Sequence, residues 1–392
     1  MKKVAFIVQR CGLEVNGGAE VHCFKIAKQM SRYWETEILT TCAVDYLTWK
    51  NHYAPGVGIV DGILIRRFKI SKERNIDQFN KLSENIKTVV KCASIFKQEK
   101  WMKSQGPWSP DLMAFIKKYK DEYEAFIFFT YLYATTYFVL PLVKDKAFLA
   151  PLAHDEWPIY LSMWNKFFNM PVGFIFNTEE EKQFLECRFP VVKFNGPVAG
   201  VAVDPPESLN PVHFKKKFGL HEPFLLYIGR VDPMKGCEEL FDYFISLKTY
   251  LREPLKLVLM GKPSMPVPNH PDIISLGFVD EKTKWNAIAA CKMLVVSSLY
   301  ESLSMVLLEA WTLGRPVLVN GGCRVLVSQC QRAQGGLWYT NYEEFCMAIE
   351  EIAARVGDQL GLQGKAFVQK NYSWPIIEKA YLNLIKTESG IT

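Results

Sequence analysis

MLVVSSLYESLSMVLLEAWTLGRPVLVN, residues 293–320, is the stretch on which the reading of this chain turns. Its first four residues are an apolar run without alternation, the pattern of a strand buried on both faces of a parallel sheet. Ser297-Ser298 ends the run, and a loop carries Leu299, Tyr300 and Glu301. Val306, Leu307, Ala310 and Leu313 then recur at helical spacing until Gly314 and Pro316 stop the helix. A second apolar run, 317–319, follows at once. The stretch is therefore a strand-helix-strand unit with one carboxylate in the loop and another, Glu309, inside the helix. In a parallel sheet such loops lie at the carboxyl ends of the strands, where ligands bind.

A helix N-terminus at that place offers N–H groups and partial positive charge suited to a phosphate. Carboxylates nearby suit pairs of sugar hydroxyls, because each ionised oxygen accepts hydrogen bonds. On chemistry alone, Glu301 and Glu309 read equally well as surface charges near a helix start. The pattern decides between them: Glu301-x7-Glu309, then Ala310 and Gly314-Arg315-Pro316-Val317, resembles the donor-site signature of retaining family-4 glycosyltransferases of the GT-B fold.

Length and composition are compatible with that resemblance. The 392 residues suffice for two domains, and 49% hydrophobic with 22% charged content is that of a soluble globular protein. Ten cysteines occur without a C-x-x-C pair and six histidines without metal-ligand spacing, so reduced thiols are expected rather than disulfides or a zinc site. Met1-Lys2-Lys3 runs straight into the apolar residues 4–8, which predicts no signal peptide and a cytoplasmic location. Residues 125–143 carry no charge and approach spanning length, but threonines, tyrosines and Pro141 divide them into a strand, a loop and a helix. The net charge of +6 lies wholly in residues 1–200, which hold 27 Lys+Arg against 21 Asp+Glu, leaving 20 against 20 beyond them. Such an excess suits an anionic membrane surface or an anionic acceptor, and no nucleic-acid module is present.

The first half reads as an open α/β domain. After the strand at 4–8, a polar loop reaches Gly17-Gly18, which opens a helix with Cys23, Phe24, Ala27 and Met30 on its apolar face. Paired glycines allow a backbone to approach a ligand closely. Gly56-Val57-Gly58 precedes a strand instead of opening a helix, fails the dinucleotide fingerprint, and is expected to be a turn. Residues 78–104 read as one amphipathic helix with a lysine-rich face, which either lies on anionic lipid or faces water. Trp101, Trp108, Tyr131 and Tyr133 bring aromatic rings to loop positions, where they serve either a sugar or the core. A strand at 147–153 leads to His154-Asp155-Glu156. Another, at 174–176, precedes Asn177-Thr178-Glu179, a capped helix start with an acidic first turn. Pro205, Pro206 and Pro211 mark a linker.

In the second half, the strand at 224–228 runs into Gly229-Arg230-Val231-Asp232-Pro233-Met234-Lys235-Gly236. Arg230 and Lys235, five residues apart around a glycine-bounded turn, can grip adjacent phosphates, one as a planar fork and one as a point charge. Further strands are expected at 257–260 and 273–278. The resemblance extends to this Gly-Arg…Lys-Gly clamp and to Ser373-Trp374-Pro375, which opens the helix expected at 376–385.

The resemblance implies an α/β chain of GT-B type, with two Rossmann-like domains facing a cleft. Residues 1–204 would bind the acceptor, 205–372 the donor, and 373–392 would form a helix returning to the first domain. It implies a retaining, metal-independent hexosyltransferase without a cofactor, whose co-substrate is a nucleotide-diphosphate sugar of UDP or GDP type. The acceptor would be a glycan or lipid-linked molecule, as in cell-surface polysaccharide biosynthesis, with peripheral contact to the inner face of an anionic membrane. Arg230, Lys235, Gly18, Met305 and Val306 would hold the diphosphate, and Glu301, Ser304 and Met305 the donor sugar. Glu309 would hold the ribose and Phe278 the base through its backbone; His154 would act with Glu301 in catalysis. Gly17, Trp108 and Tyr131 are the acceptor-side candidates. Where the family has Glu-Gly-Phe-Gly, this chain has Glu301-Ser302-Leu303-Ser304, and serine's poor access to positive φ predicts an altered loop. A GT-B nucleotide-sugar epimerase and a non-catalytic GT-B partner subunit are the other classes. The first wants acid and base carboxylates that cannot be placed here, and the second should have lost the clamp.

Overall fold

A computed structural model describes residues 2–250 and 253–389. The chain divides into two compact units, Met1–Val201 with Trp374–Thr392, and Ala202–Ser373.

In the first unit, strands β1 (Lys3–Ile7), β2 (Glu35–Thr41), β3 (Gly56–Val60), β4 (Ile63–Phe68), β5 (Ala125–Phe129), β6 (Ala147–Ala150) and β7 (Gly173–Phe174) form one sheet in the order β3-β4-β2-β1-β5-β6-β7. All neighbours are parallel except the β3/β4 hairpin. The continuous apolar runs of β1 and β5 follow from burial on both faces. Helix Gly18–Met30 covers one side, and helix Trp374–Ser389 belongs to this unit, where Glu378 takes hydrogen bonds from Gln29 and, at 2.9 Å, from Tyr33. Residues 390–392 of the expected terminal segment lie outside the described residues.

Three expectations need correction here. Gly56-Val57-Gly58 is not a turn but the start of edge strand β3; the turn is Asp61-Gly62, where φ is 50° and 83°. Residues 78–104 are not one helix but two, Ile76–Lys87 and Ile95–Gln105. The β-branched run Thr88-Val89-Val90 lowers helix propensity, and Ser94 caps the second helix by accepting from Lys97 N. The apolar stripe does not continue across the break, since Ile86 is buried while Phe96 is 77% exposed. The strand expected at 147–153 stops at Ala150, because Pro151 has no N–H and Leu152 takes φ 53°.

In the second unit, β8 (Phe224–Ile228), β9 (Lys256–Met260), β10 (Ile273–Ser275), β11 (Met293–Val296), β12 (Val317–Asn320) and β13 (Gly336–Tyr339) form an all-parallel sheet in the order β10-β9-β8-β11-β12-β13. The chain winds outward from β8 through β9 and β10, then returns to β11 on the other side. That reversal makes the β8/β11 boundary the switch point, the place at the carboxyl ends of the strands where open α/β sheets bind ligands. No helix of the described residues is long and apolar enough to cross a membrane.

Candidate active site

The loops leaving β8 and β11 lie backbone against backbone. Gly236 has φ 70°, and a Cβ there would sit 2.1 Å from the Ser297 carbonyl oxygen; at Gly261, in the loop after β9, it would sit 1.8 Å from that of Gly229. Only glycine fits either place. Ser297 Oγ donates to Lys235 O at 2.8 Å, and Tyr227 OH to Arg230 O at 2.6 Å. Asp232 accepts from Met234 N at 2.9 Å, fixing the turn Pro233–Lys235. The backbone beneath both cations is thus held from several sides.

On this frame Lys235 Nζ meets Glu301 Oε1 at 2.7 Å, joining the two loops across the switch point. Arg230 keeps nearly half its side chain in solvent, with Asp232 Oδ2 at 3.5 Å. Helix Met305–Thr312 starts immediately beyond, with Ser304 at the position that precedes its first turn. Ser304 adopts the left-handed conformation that its residue type disfavours, φ 66° and ψ 85°. A non-glycine residue there costs about 1–2 kcal/mol. Its Oγ is buried without a hydrogen-bond partner and does not cap the helix. The first-turn N–H groups, Met305 and Val306 among them, have no acceptor within the helix.

Glu309, one turn further on, is 3% exposed and accepts from Lys284 Nζ at 2.7 Å; Lys284 also meets Glu281 at 2.9 Å. Burial works against the Lys284 charge, but Glu309 and Glu281 outweigh it and raise its pKa. Lys284 was not singled out by sequence; the i,i+3 pairing of Glu281 with Lys284 was the available signal. Phe278 follows β10, which ends at Ser275 rather than Phe278, and the residue is 64% exposed. The neighbouring Gly277 carbonyl accepts from Gly261 N at 2.8 Å, so backbone groups shape this edge.

In the first unit, His154 lies in the loop after β6, part-exposed, with Nδ1 3.1 Å from Glu156 Oε1. Buried Glu181 braces that loop, accepting from Ala153 N at 2.8 Å and from Asn177 N at 2.7 Å. Burial pushes its carboxyl up to about 7, against the pull of those N–H groups and of His154. Gly17 precedes the helix opened by Gly18, and a Cβ on Gly17 would lie 2.0 Å from the Glu20 carboxylate; around Gly18 there is open space. Tyr131 is corrected: at 1% exposure it is core, its ring 4.8 Å from Trp164, and offers no face to a sugar. Trp101 is likewise core, while half-buried Trp108 stands edge-on to Phe138 at 5.0 Å.

Two units of this kind, each a parallel sheet clad in helices, define the GT-B fold. Solved structures share it over the full chain. Sucrose-phosphate synthase from Thermosynechococcus elongatus aligns with TM-score 0.72 and 15% identity, covering 99% of both chains. Anabaena HepE in complex with UDP and glucose aligns with TM-score 0.68 and 13% identity, covering 99% of this chain and 100% of that one. Residues 210–355 match the family model of glycosyl transferases group 1. An uncharacterized glycosyltransferase of Methanocaldococcus jannaschii is 26% identical over 192 residues, 45% of this chain and 48% of that protein, so the match spans about half the length of this curated relative.

Proposed function

We propose that this chain is a retaining, metal-independent glycosyltransferase that moves a sugar from a nucleotide-diphosphate sugar, UDP or GDP type, to a glycan or lipid-linked acceptor. The observation that carries the reading is the β8/β11 switch point. There Lys235 meets Glu301, with Arg230 on the same loop as Lys235, beside a helix start whose N-cap residue is strained and makes no side-chain cap. The group 1 match over this same unit, and the likeness of fold to a protein solved with UDP and glucose, support it.

In the reaction, negative charge develops on the departing diphosphate. Arg230, Lys235 and the N–H groups of Met305 and Val306 would stabilise it without a metal ion, and Gly18 would admit the diphosphate close to the backbone. Glu301 would exchange its contact with Lys235 for donor-sugar hydroxyls, near Ser304, and Glu309 would accept from the ribose. Backbone groups at Phe278 would meet the base. Attack comes on the face the leaving group vacates, and the leaving phosphate helps to take the acceptor's proton. His154 orients the sugar or the developing charge; Gly17 and Trp108 stay as acceptor-side candidates. The setting is cytoplasmic cell-surface polysaccharide assembly, without a cofactor. The lysines of helices Ile76–Lys87 and Ile95–Gln105 would provide any contact with an anionic membrane.

Incubation with a panel of UDP- and GDP-sugars, with and without acceptor glycans, tests this. Nucleotide release that depends on acceptor, with the donor's anomeric configuration retained in the product by NMR, is expected. An inverted product, or an isomerised donor formed without acceptor, would overturn it.

A further inference from the structure

The first unit gathers three arginines at the carboxyl ends of its strands. Arg10 lies in the loop after β1, Arg67 near the end of β4, and Arg74 in the loop beyond it. The loop after β2 sets aromatic rings among them. Arg10 Cζ stands 5.6 Å from the Tyr46 ring centre and 5.9 Å from that of Trp49. Arg74 Cζ approaches the same two rings at 5.5 and 4.8 Å. Arg67 Cζ lies 4.2 Å from the Tyr53 ring centre, and its Nη2 donates to Cys11 O at 3.1 Å, the carbonyl of the residue after Arg10.

Their charges are not equally matched. Arg10 is held by Glu20 at 2.7 and 2.6 Å and donates to Val44 O at 2.6 Å. Arg67 is 9% exposed and Arg74 half-buried, and neither has a carboxylate within ion-pair distance among the described residues. Their remaining contacts are neutral: Cys11 O for Arg67, and Gln105 O at 2.5 Å for Arg74. The Nε of each is buried without a hydrogen-bond acceptor. The nearby carboxylates are engaged elsewhere, Asp45 on the turn at Thr48 and Glu14 with the Tyr53 hydroxyl. Burial pulls the Arg74 pKa below its ordinary value despite Tyr46, Tyr133 and Asp45. Withdrawing guanidinium groups from water without an ion-paired carboxylate costs more than aromatic faces return. An incoming anion would close the gap, and the whole positive excess of the chain lies in this half.

We propose that Arg10, Arg67 and Arg74 form an oxyanion subsite that binds the phosphate or carboxylate of an anionic sugar, which, on the glycosyl-transfer reading above, is the acceptor. Planar guanidinium forks match both groups. Trp49, buried and donating to Gln105 O at 2.7 Å, is the floor, while half-buried Tyr46 and Tyr53 keep ring surface for the sugar.

Titration of the full chain, without donor, with glucose 6-phosphate, glucuronate and glucose is the test. One or both anionic sugars should bind, more weakly as salt rises, and glucose should not; the stronger anion tells ester from acid. Arg67→Gln and Arg74→Gln should each weaken that binding at least about tenfold, the loss expected of a charge-assisted contact, with UDP affinity unchanged. Equal binding of glucose and both anions, no binding of either anion, or full affinity in the folded variants would overturn the proposal. The wild-type comparison decides by itself if Arg67→Gln does not fold. Anion binding without nucleotide release from any donor would refute glycosyl transfer and leave the subsite standing; release without anion binding would do the reverse.

Discussion

Glu309→Gln removes a negative charge from a residue that is 3% exposed and faces an ammonium 2.7 Å away. Lys284 keeps Glu281 at 2.9 Å, but that side chain is 77% exposed, so water screens its charge. Breaking one side of a buried pair costs about 3–5 kcal/mol. The retained Glu281 and an amide oxygen that still accepts from the ammonium reduce the expected loss to about 2–3 kcal/mol. For a unit of this size that lowers Tm by about 4–12 °C. If Glu309 also accepts ribose hydroxyls, UDP affinity should fall about tenfold or more. The double variant Glu309→Gln/Lys284→Met separates the two effects, because it removes the orphaned ammonium. Thermal melting should then recover most of its loss, whereas calorimetric affinity for UDP should stay low. Recovery of both would refute the ribose role and leave Glu309 a purely structural carboxylate.

His154→Ala should lower turnover by roughly 10²-fold, the scale of a positioned polar group, while affinity for free UDP stays near wild type; near-normal transfer by the folded variant would remove His154 from the reaction. Glu181 has a folded pKa of about 7 against an ordinary 4.5, so the native state holds the extra proton between those values. The contribution of this one group to stability is therefore full below pH 4.5 and is lost as pH rises towards 7, about 3 kcal/mol at about 1.4 kcal/mol per unit. Urea unfolding of Glu181→Gln across that range should lose this slope, and an unchanged slope would contradict the assignment.

What the sequence made legible is what local pattern encodes. The apolar runs at Met293–Val296 and Phe224–Ile228 are strands with those bounds, and the helix between Glu301 and Gly314 places Glu309 inside it. Gly229 and Gly236, flanking Arg230 and Lys235, mark a tight loop: both take positive φ, and at Gly236 the Ser297 backbone fills the space a Cβ would need. What pairs across the fold was not legible. Lys235 with Glu301 and Lys284 with Glu309 join residues from separate strand-end loops and helices, and no periodicity encodes such a match. Tyr131 was misplaced because an aromatic after a strand has the same local pattern whether it turns into the core or towards a ligand. Ser304 shows the opposite limit, since the surrounding loop imposes a backbone conformation that its residue type disfavours.

Titration of UDP and of uridine into the wild type and into Lys235→Ala tests the central claim most directly. Lys235 sits at the switch point with its ammonium on Glu301; on the proposed reading, its removal would take away a charge-assisted diphosphate contact worth about 1.5–3 kcal/mol. UDP should bind the variant at least about tenfold more weakly, and uridine as well as it binds wild type. Equal losses for UDP and uridine, or no loss for UDP, would contradict the assignment of this loop to the diphosphate.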